Sequence, residues 1–348
     1  MTPFSYSKAF SLSDANMQLT AKLVSSSFEK GEDKFQADVQ PIAGGTTLID
    51  LMKLNVMQPQ ELVDINQLRS EPNVKTVLSD EKGLTLSAFA TMSEVAENEI
   101  ILRDYPMIAQ SLQLAASQQI RNMATLGGNI LQRTRCAYFR DTSFSQCNKR
   151  SPGSGCAAIP GDSRALAILG TSQDCIATHP GDFSQSMAAL DATINISGKN
   201  GKRTIPFSAL HKMPGSSPNI ETTLQPDELI VSLNIPAAPW AKRSVYLKIR
   251  DRASYAFALA SAAVALDMSD GTIKNARIAL GGMGTVPWRS KDAEQSLNGK
   301  QPNEENFKNA AEIAFKSAKT TEKNAFKQEL GKRTLIRALT QVAAMEIK

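Results

Sequence analysis

The sequence predicts an α+β protein of two domains, residues 1–236 and 241–348, and three observations carry that prediction. The chain has 348 residues, about two domains' worth at ~150 residues each. Strand-like and helix-like apolar patterns are mixed along it, and a proline-bearing break, Ala237-Ala238-Pro239, separates two such runs. Hydrophobic residues make up 42% and charged residues 21%, ordinary globular usage that excludes a largely disordered chain.

The elements follow in order. Val39 to Ala43 is a short apolar strand that meets Gly44-Gly45. Thr46 and Thr47, suited to a helix N-cap, precede Leu48, Leu51, Met52 and Leu54 at helical spacing. Leu62–Ile65 and Leu84–Phe89 read as strands, and Tyr105–Gln119 as one helix. Gln132–Asp174 is a long, weakly periodic stretch rich in Ser, Arg, Gly and Pro, of a kind that needs something to staple it. Regular structure resumes with a strand at Cys175–Thr178, the turn His179-Pro180-Gly181-Asp182, a helix at Phe183–Leu190 and a strand at Ala192–Ser197. The strand ending at Pro236 closes the first domain. In the second, Val245–Ile249 is a strand, and Ala258–Asp267 pairs with Thr272–Leu280 across the Asp270-Gly271 hairpin signal. From Glu304 onward the Ala/Lys/Glu-rich chain reads as helical.

Several functions are excluded early. No apolar run approaches the ~20 residues that cross a bilayer, and Met1 to Phe10 lacks the apolar core of a secretory signal. The net charge of +5 is spread out rather than gathered into a nucleic-acid-binding patch. The two histidines, His179 and His211, exclude a His-rich metal centre. His179 reads as a turn residue, with covalent flavin attachment a lesser reading, and His211 as a loop residue.

Two glycine pairs, in Ala43 to Leu48 and in Ala124 to Leu131, each leave unhindered backbone amides beside a helix start, an arrangement that suits an anion. Neither matches GxGxxG or GxxxxGK[ST], so neither a doubly wound dinucleotide fold nor a P-loop is supported. All four cysteines, Cys136, Cys147, Cys156 and Cys175, fall within 40 residues. Their spacing is compatible with a [4Fe–4S] cluster, with zinc, or with two disulfides. It lacks the CxxC knuckles usual for zinc. Arg133, Arg135, Arg140, Lys149 and Arg150 nearby would offset thiolate charge or form a solvated face. No carboxylate pair or catalytic triad stands out.

The segments PIAGGTTL, ATLGGNI, HPGDFSQSMAALDA, DELIVSLNIP, YAFALASAAVAL and LGGMGTVPWRS, in that order over residues 41–290, closely resemble the FAD-binding medium subunit of the molybdenum hydroxylases, the xanthine dehydrogenase and aldehyde oxidoreductase family. The resemblance implies a PCMH-type FAD domain with a cysteine-rich insertion (131–178), followed by a smaller α+β domain of the CO dehydrogenase flavoprotein type. With four cysteines inserted after Gly127-Gly128-Asn129, the chain is most similar to the FAD subunit of bacterial periplasmic aldehyde oxidoreductases. That implies a [4Fe–4S] cluster on Cys136, Cys147, Cys156 and Cys175.

By the same resemblance, Ala43, Gly44, Gly45, Thr46, Thr47 and Leu48 would wrap the FAD pyrophosphate. Thr125, Gly128 and Asn129 would make a second phosphate and ribose contact. Asp182 would be an acidic FAD contact, and Ile230 and Lys248 would lie near the flavin. Ala256 departs from the aspartate that many relatives carry. The implied partners are a large subunit with the molybdenum cofactor and a small subunit with [2Fe–2S] clusters, one of each. The implied function is electron relay: aldehyde is oxidised to carboxylic acid on the large subunit, and FAD here passes the electrons to an external acceptor. The alternatives are a subunit of a hydroxybenzoyl-CoA reductase-like enzyme, a stand-alone flavin enzyme, and a zinc-stapled binding module. The implied location is the periplasm, reached with a signal-bearing partner, with the cytoplasm as the alternative.

Overall fold

The computed structural model describes residues 1–23, 38–71 and 75–347. Three sheets follow one another along the chain. Strands β1 (Ser5–Lys8), β2 (Val39–Ile42) and β3 (Glu61–Asp64) form a small parallel sheet in the order β1-β3-β2. Strands β4 (Val77–Asp80), β5 (Gly83–Ser87), β6 (Thr193–Gly198), β7 (Gly201–Pro206) and β8 (Leu229–Pro236) form an antiparallel sheet in the order β4-β5-β8-β6-β7. Strands β9 (Ser244–Ile249), β10 (Ala260–Ser269), β11 (Thr272–Gly281) and β12 (Trp288–Arg289) complete the fold as an antiparallel sheet, β12-β11-β10-β9. The helix Phe326–Ala343 covers one face of that last sheet.

Successive side chains of a strand point to opposite faces, and β10 shows what that does here. Ala262, Val264 and Leu266 enter a core with Phe307, Phe315, Leu335 and Leu339, whereas Ala263 and Ala265 enter the core built by Ile108, Leu112, Phe183 and Met187. Both faces are therefore buried, which is why the sequence from Ala258 to Leu266 reads as an apolar run with Ser261 as its one polar residue. β9 alternates likewise: Tyr246 joins the first core, and Val245 and Leu247 join the second.

Two expected elements differ. The helix expected over Tyr105–Gln119 is two helices, Pro106–Gln113 and Gln118–Met123, separated by a turn in which Ala116 takes φ +49°. The carbonyl of Leu114, at the first helix's end, accepts hydrogen bonds from Lys248 Nζ (3.0 Å) and Arg250 Nη1 (3.1 Å), so tertiary donors satisfy what further helix would have satisfied. The strand expected at Cys175–Thr178 is absent. Its backbone is instead held singly, with Ile176 O accepting from Ala167 N (3.0 Å) and Thr178 O from Thr134 Oγ1 (2.9 Å). The cysteine segment also reaches across to the second core. Ile168 and Leu169 are buried there, and Lys327 Nζ donates to the carbonyls of Ala165 (3.2 Å), Leu166 (2.8 Å) and Gly282 (2.6 Å).

Candidate functional site

The two glycine turns, ~80 residues apart in sequence, pack against each other and open a cleft of about 750 Å³. A Cβ on Gly44 would stand 1.9 Å from the carbonyl oxygen of Met123, so only glycine lets the turns meet. Gly45 has φ +69°, which favours glycine for a second, independent reason. Thr47 occupies the N-cap of the helix Leu48–Lys53 but its side chain makes no capping bond; the capping role expected of it is not filled.

In the second turn, Thr125 caps the helix Leu126–Ile130, its Oγ1 accepting from Gly128 N at 3.2 Å. The Gly128 amide is therefore already partnered within the chain. Asn129 Nδ2 approaches Met92 Sδ (3.4 Å), and its Oδ1 is buried with no partner. Ala43 through Leu48, Thr125, Gly128, Asn129, Asp182, Ile230 and Lys248 all line this one cleft.

Asp182 and Lys248, singled out separately, take each other as partners. Asp182 Oδ2 lies 2.7 Å from Lys248 Nζ, and Oδ1 accepts from Tyr246 Oη at 2.6 Å, which in turn lies 2.9 Å from Ser261 Oγ. Burial raises the Asp182 carboxyl above the ordinary range, with Lys248 and Tyr246 pulling against it. The Tyr246 hydroxyl is pushed far up by burial and by Asp182. Tyr246 was invisible to sequence reasoning, since its only local signal is strand alternation with Lys248.

The basic residues of the cysteine segment face carboxylates. Arg135 Nη1 lies 3.1 Å and Arg140 Nη2 2.9 Å from Asp50 Oδ2, on the cleft wall. Arg133 and Lys149 both pair with Glu221. Arg150 Nη2 donates to the carbonyls of Tyr138 (3.2 Å) and Phe144. The solvated-face alternative is corrected accordingly, since Arg133, Arg135, Arg140 and Lys149 pair with Glu221 and Asp50, while Lys149 also pulls the Cys175 thiol down against its burial.

All four cysteines are free and belong to one apolar cluster with Leu51, Met57, Phe139 and Leu166. Cys147 and Cys156 face each other in a lone antiparallel bridge. Burial pushes the Cys136 thiol up to about 12 and raises that of Cys175. Such thiols stay protonated at neutral pH unless a metal displaces the proton. Among the described residues, no group of three or more His, Cys, Asp or Glu is arranged to hold a single metal ion.

His179 and His211, 32 residues apart, meet edge to face with ring centroids 4.7 Å apart. Gly181 N donates to His179 Nδ1 (3.2 Å), and His211 Nε2 donates to Ile130 O (2.9 Å). Burial lowers both imidazole pKa values, for His179 with a further push from His211. Both residues also line a second cavity of about 660 Å³.

Comparison with known proteins gives the same extent from two directions. Residues 3–238 match the family described as the FAD binding domain in molybdopterin dehydrogenase, and residues 245–342 match the CO dehydrogenase flavoprotein C-terminal domain. The chain is 44% identical over 304 residues (87% of this chain, 91% of the relative) to the FAD-binding subunit of aldehyde oxidoreductase from Escherichia coli (strain K12). It is 27% identical over 88% of its length (85% of the relative) to the glyceraldehyde dehydrogenase medium chain of Sulfolobus acidocaldarius. In fold it matches a chain of the reconstituted CO dehydrogenase from Oligotropha carboxidovorans, with a TM-score of 0.74 over 99% of both chains at 21% identity.

Proposed function

The chain is an FAD-binding subunit of the molybdenum hydroxylase family, and from that premise we propose that it is the electron-relay subunit of an aldehyde-oxidising complex. Two relatives that the chain resembles are named medium chains, of glyceraldehyde dehydrogenase and of carbon monoxide dehydrogenase, which supports a multi-subunit complex here. The observation that carries the reading is the convergence of the two glycine turns on one cleft, together with 44% identity to an aldehyde oxidoreductase subunit.

The residues present fit FAD. Gly44 and Gly45 form a cradle that a side chain would fill or strain, and Asn129 Oδ1 is a buried acceptor awaiting a donor. Ala43 to Leu48 would hold the pyrophosphate by backbone amides, with Thr125 and Asn129 beside it. Asp182 and Lys248, fixed by each other and by Tyr246, would present an oriented polar edge to the ring. Bound FAD supplies the capacity to take electrons singly and hand them on singly or in pairs. The chain's own share is to bind, to orient and to keep water out; the described residues contain no nucleophile–base pair of a substrate-oxidising kind.

In this reading the four cysteines hold a [4Fe–4S] cluster. Four free thiols in one apolar cluster are the right donor set. The large partner carries the molybdenum cofactor and the small one [2Fe–2S] clusters. The periplasm goes with the same reading, and fractionation of expressing cells tests it: cytoplasmic recovery of the assembled complex would reject it.

Anaerobically purified protein should show flavin bands, a broad iron–sulfur shoulder, and iron and sulfide near four per chain. Cys136→Ser and Cys156→Ser should each lose the iron. Full iron retention in both would reject the cluster, and a colourless wild-type chain would reject the relay.

A further inference from the structure

Asp50 stands in the first turn of the helix that follows Gly44-Gly45. It is gripped from the cysteine segment by two arginines: Arg135 Nη1 reaches Oδ2 (3.1 Å), and Arg140 Nη2 reaches Oδ1 (3.1 Å) and Oδ2 (2.9 Å). Arg135 immediately precedes Cys136. Arg140 ends the short helix Ala137–Arg140, whose N-cap is Cys136. One cysteine therefore sets the position of both guanidinium groups.

Charge at this wall does not balance. Two guanidiniums share one carboxylate, and the Nε of Arg135 is buried without a partner. Arg135 also lies over the Phe257 ring, 5.0 Å from its centroid. Both arginines and Asp50 line the glycine-turn cleft. A negatively charged group with paired acceptor oxygens, as phosphate has, would complete the site by meeting the planar forks of the guanidiniums.

We propose that Asp50 couples the two cofactor sites: Arg135 and Arg140, held by it, form a phosphate-recognising wall of the FAD cleft, and emptying the cysteine site loosens that wall. This rests on the reading that the cysteines hold a [4Fe–4S] cluster. Cluster assembly then tightens FAD binding, and by reciprocity FAD protects the cluster.

The test uses the full chain, deflavinated, and titrates FAD by fluorescence before and after chelation of iron, with iron measured in every sample. In the wild type, iron removal should weaken FAD binding about tenfold. Arg140→Gln with its iron intact should weaken it by a similar factor. In Asp50→Asn, FAD affinity should become the same with and without iron, because the tether is gone. Arg140→Lys, which keeps the charge and loses the fork, should fall between wild type and glutamine, and it replaces the glutamine variant if that one does not fold. An unchanged wild-type FAD affinity when iron is shown present before and absent after chelation overturns the coupling while leaving the cluster standing. Wild-type affinity in both Arg140 variants overturns the arginine wall. Protein that never contains iron overturns the cluster and this proposal together.

Discussion

Lys248 of β9 and Asp182 of the His179-Pro180-Gly181-Asp182 turn form a 2.7 Å ion pair with both side chains almost wholly removed from water. Removing one member of such a pair leaves the other charged and unpaired in a dry site. Lys248→Met should therefore destabilise the fold by about 3 kcal/mol in denaturant unfolding, and it should also leave the Leu114 carbonyl with one donor fewer. The double variant Asp182→Asn/Lys248→Met should recover part of that loss.

Gly44→Ala should cost about 2 kcal/mol or more, since its methyl group would collide with the Met123 backbone, which cannot yield as a side chain can. Gly45→Val should cost about 1–2 kcal/mol for a left-handed φ. Both should lower bound flavin, read from the absorbance ratio of flavin to protein. Full flavin content in both variants would reject the amide cradle.

Glu221 gives a pH signature. Burial alone would raise its carboxyl, but Arg133 and Lys149 outweigh burial and hold it down at about 2. Between that value and the ordinary glutamate range the unfolded chain binds more protons than the folded one, so stability rises with pH across this window. The contribution is complete above about pH 5 and is lost as pH falls towards 2; it is at most about 3 kcal/mol, and less because about a quarter of the side chain is open to water. Glu221→Gln should flatten the acid limb of a stability–pH curve, and an unchanged limb would refute the assignment.

Lys327→Met removes the only ammonium from a nest of three carbonyls, those of Ala165, Leu166 and Gly282. Ala165 O keeps Thr178 Oγ1 as a donor (3.0 Å), but buried acceptors that lose a donor cost about 1–3 kcal/mol. Faster proteolysis within residues 160–170 is the expected accompaniment, because this lysine ties that stretch to the C-terminal helix. Wild-type stability together with wild-type proteolysis would show that the tie is dispensable.

Much of this architecture was legible in the residues. The run at Ala258–Asp267 stands out because both faces of β10 are buried, so Ser261 is its one polar residue before Asp267; its partner was found through the Asp270-Gly271 turn rather than through its own composition, which includes Lys274, Asn275 and Arg277. The glycine turns were legible as turns, but that they abut each other was not, because the contact is between Gly44 and a carbonyl some 80 residues away. The split of Tyr105–Gln119 was hidden for a similar reason: its helical periodicity is real, and the break is stabilised by donors from β9 and the residue after it. β7 escaped because it is an edge strand, mostly exposed, with little apolar signal. The grip of Arg135 and Arg140 on Asp50 spans 85 and 90 positions, and no local pattern encodes such a partner. Asp182 and Lys248 came from likeness to a family alone; their union with Tyr246 came only from the fold.

The alternating allegiance of β10 has a mechanical consequence. A hinge needs two lobes that can part, and here a single ribbon of alanines serves as lining for both, so opening one would tear the other. The lobes are welded. Their spacing is set by the bulk of a methyl group, and enlarging Ala263 or Ala265 to leucine would pry the halves apart rather than bend them. For the electron relay proposed above, which would require carriers at unvarying separations, a rigid weld is the appropriate joint.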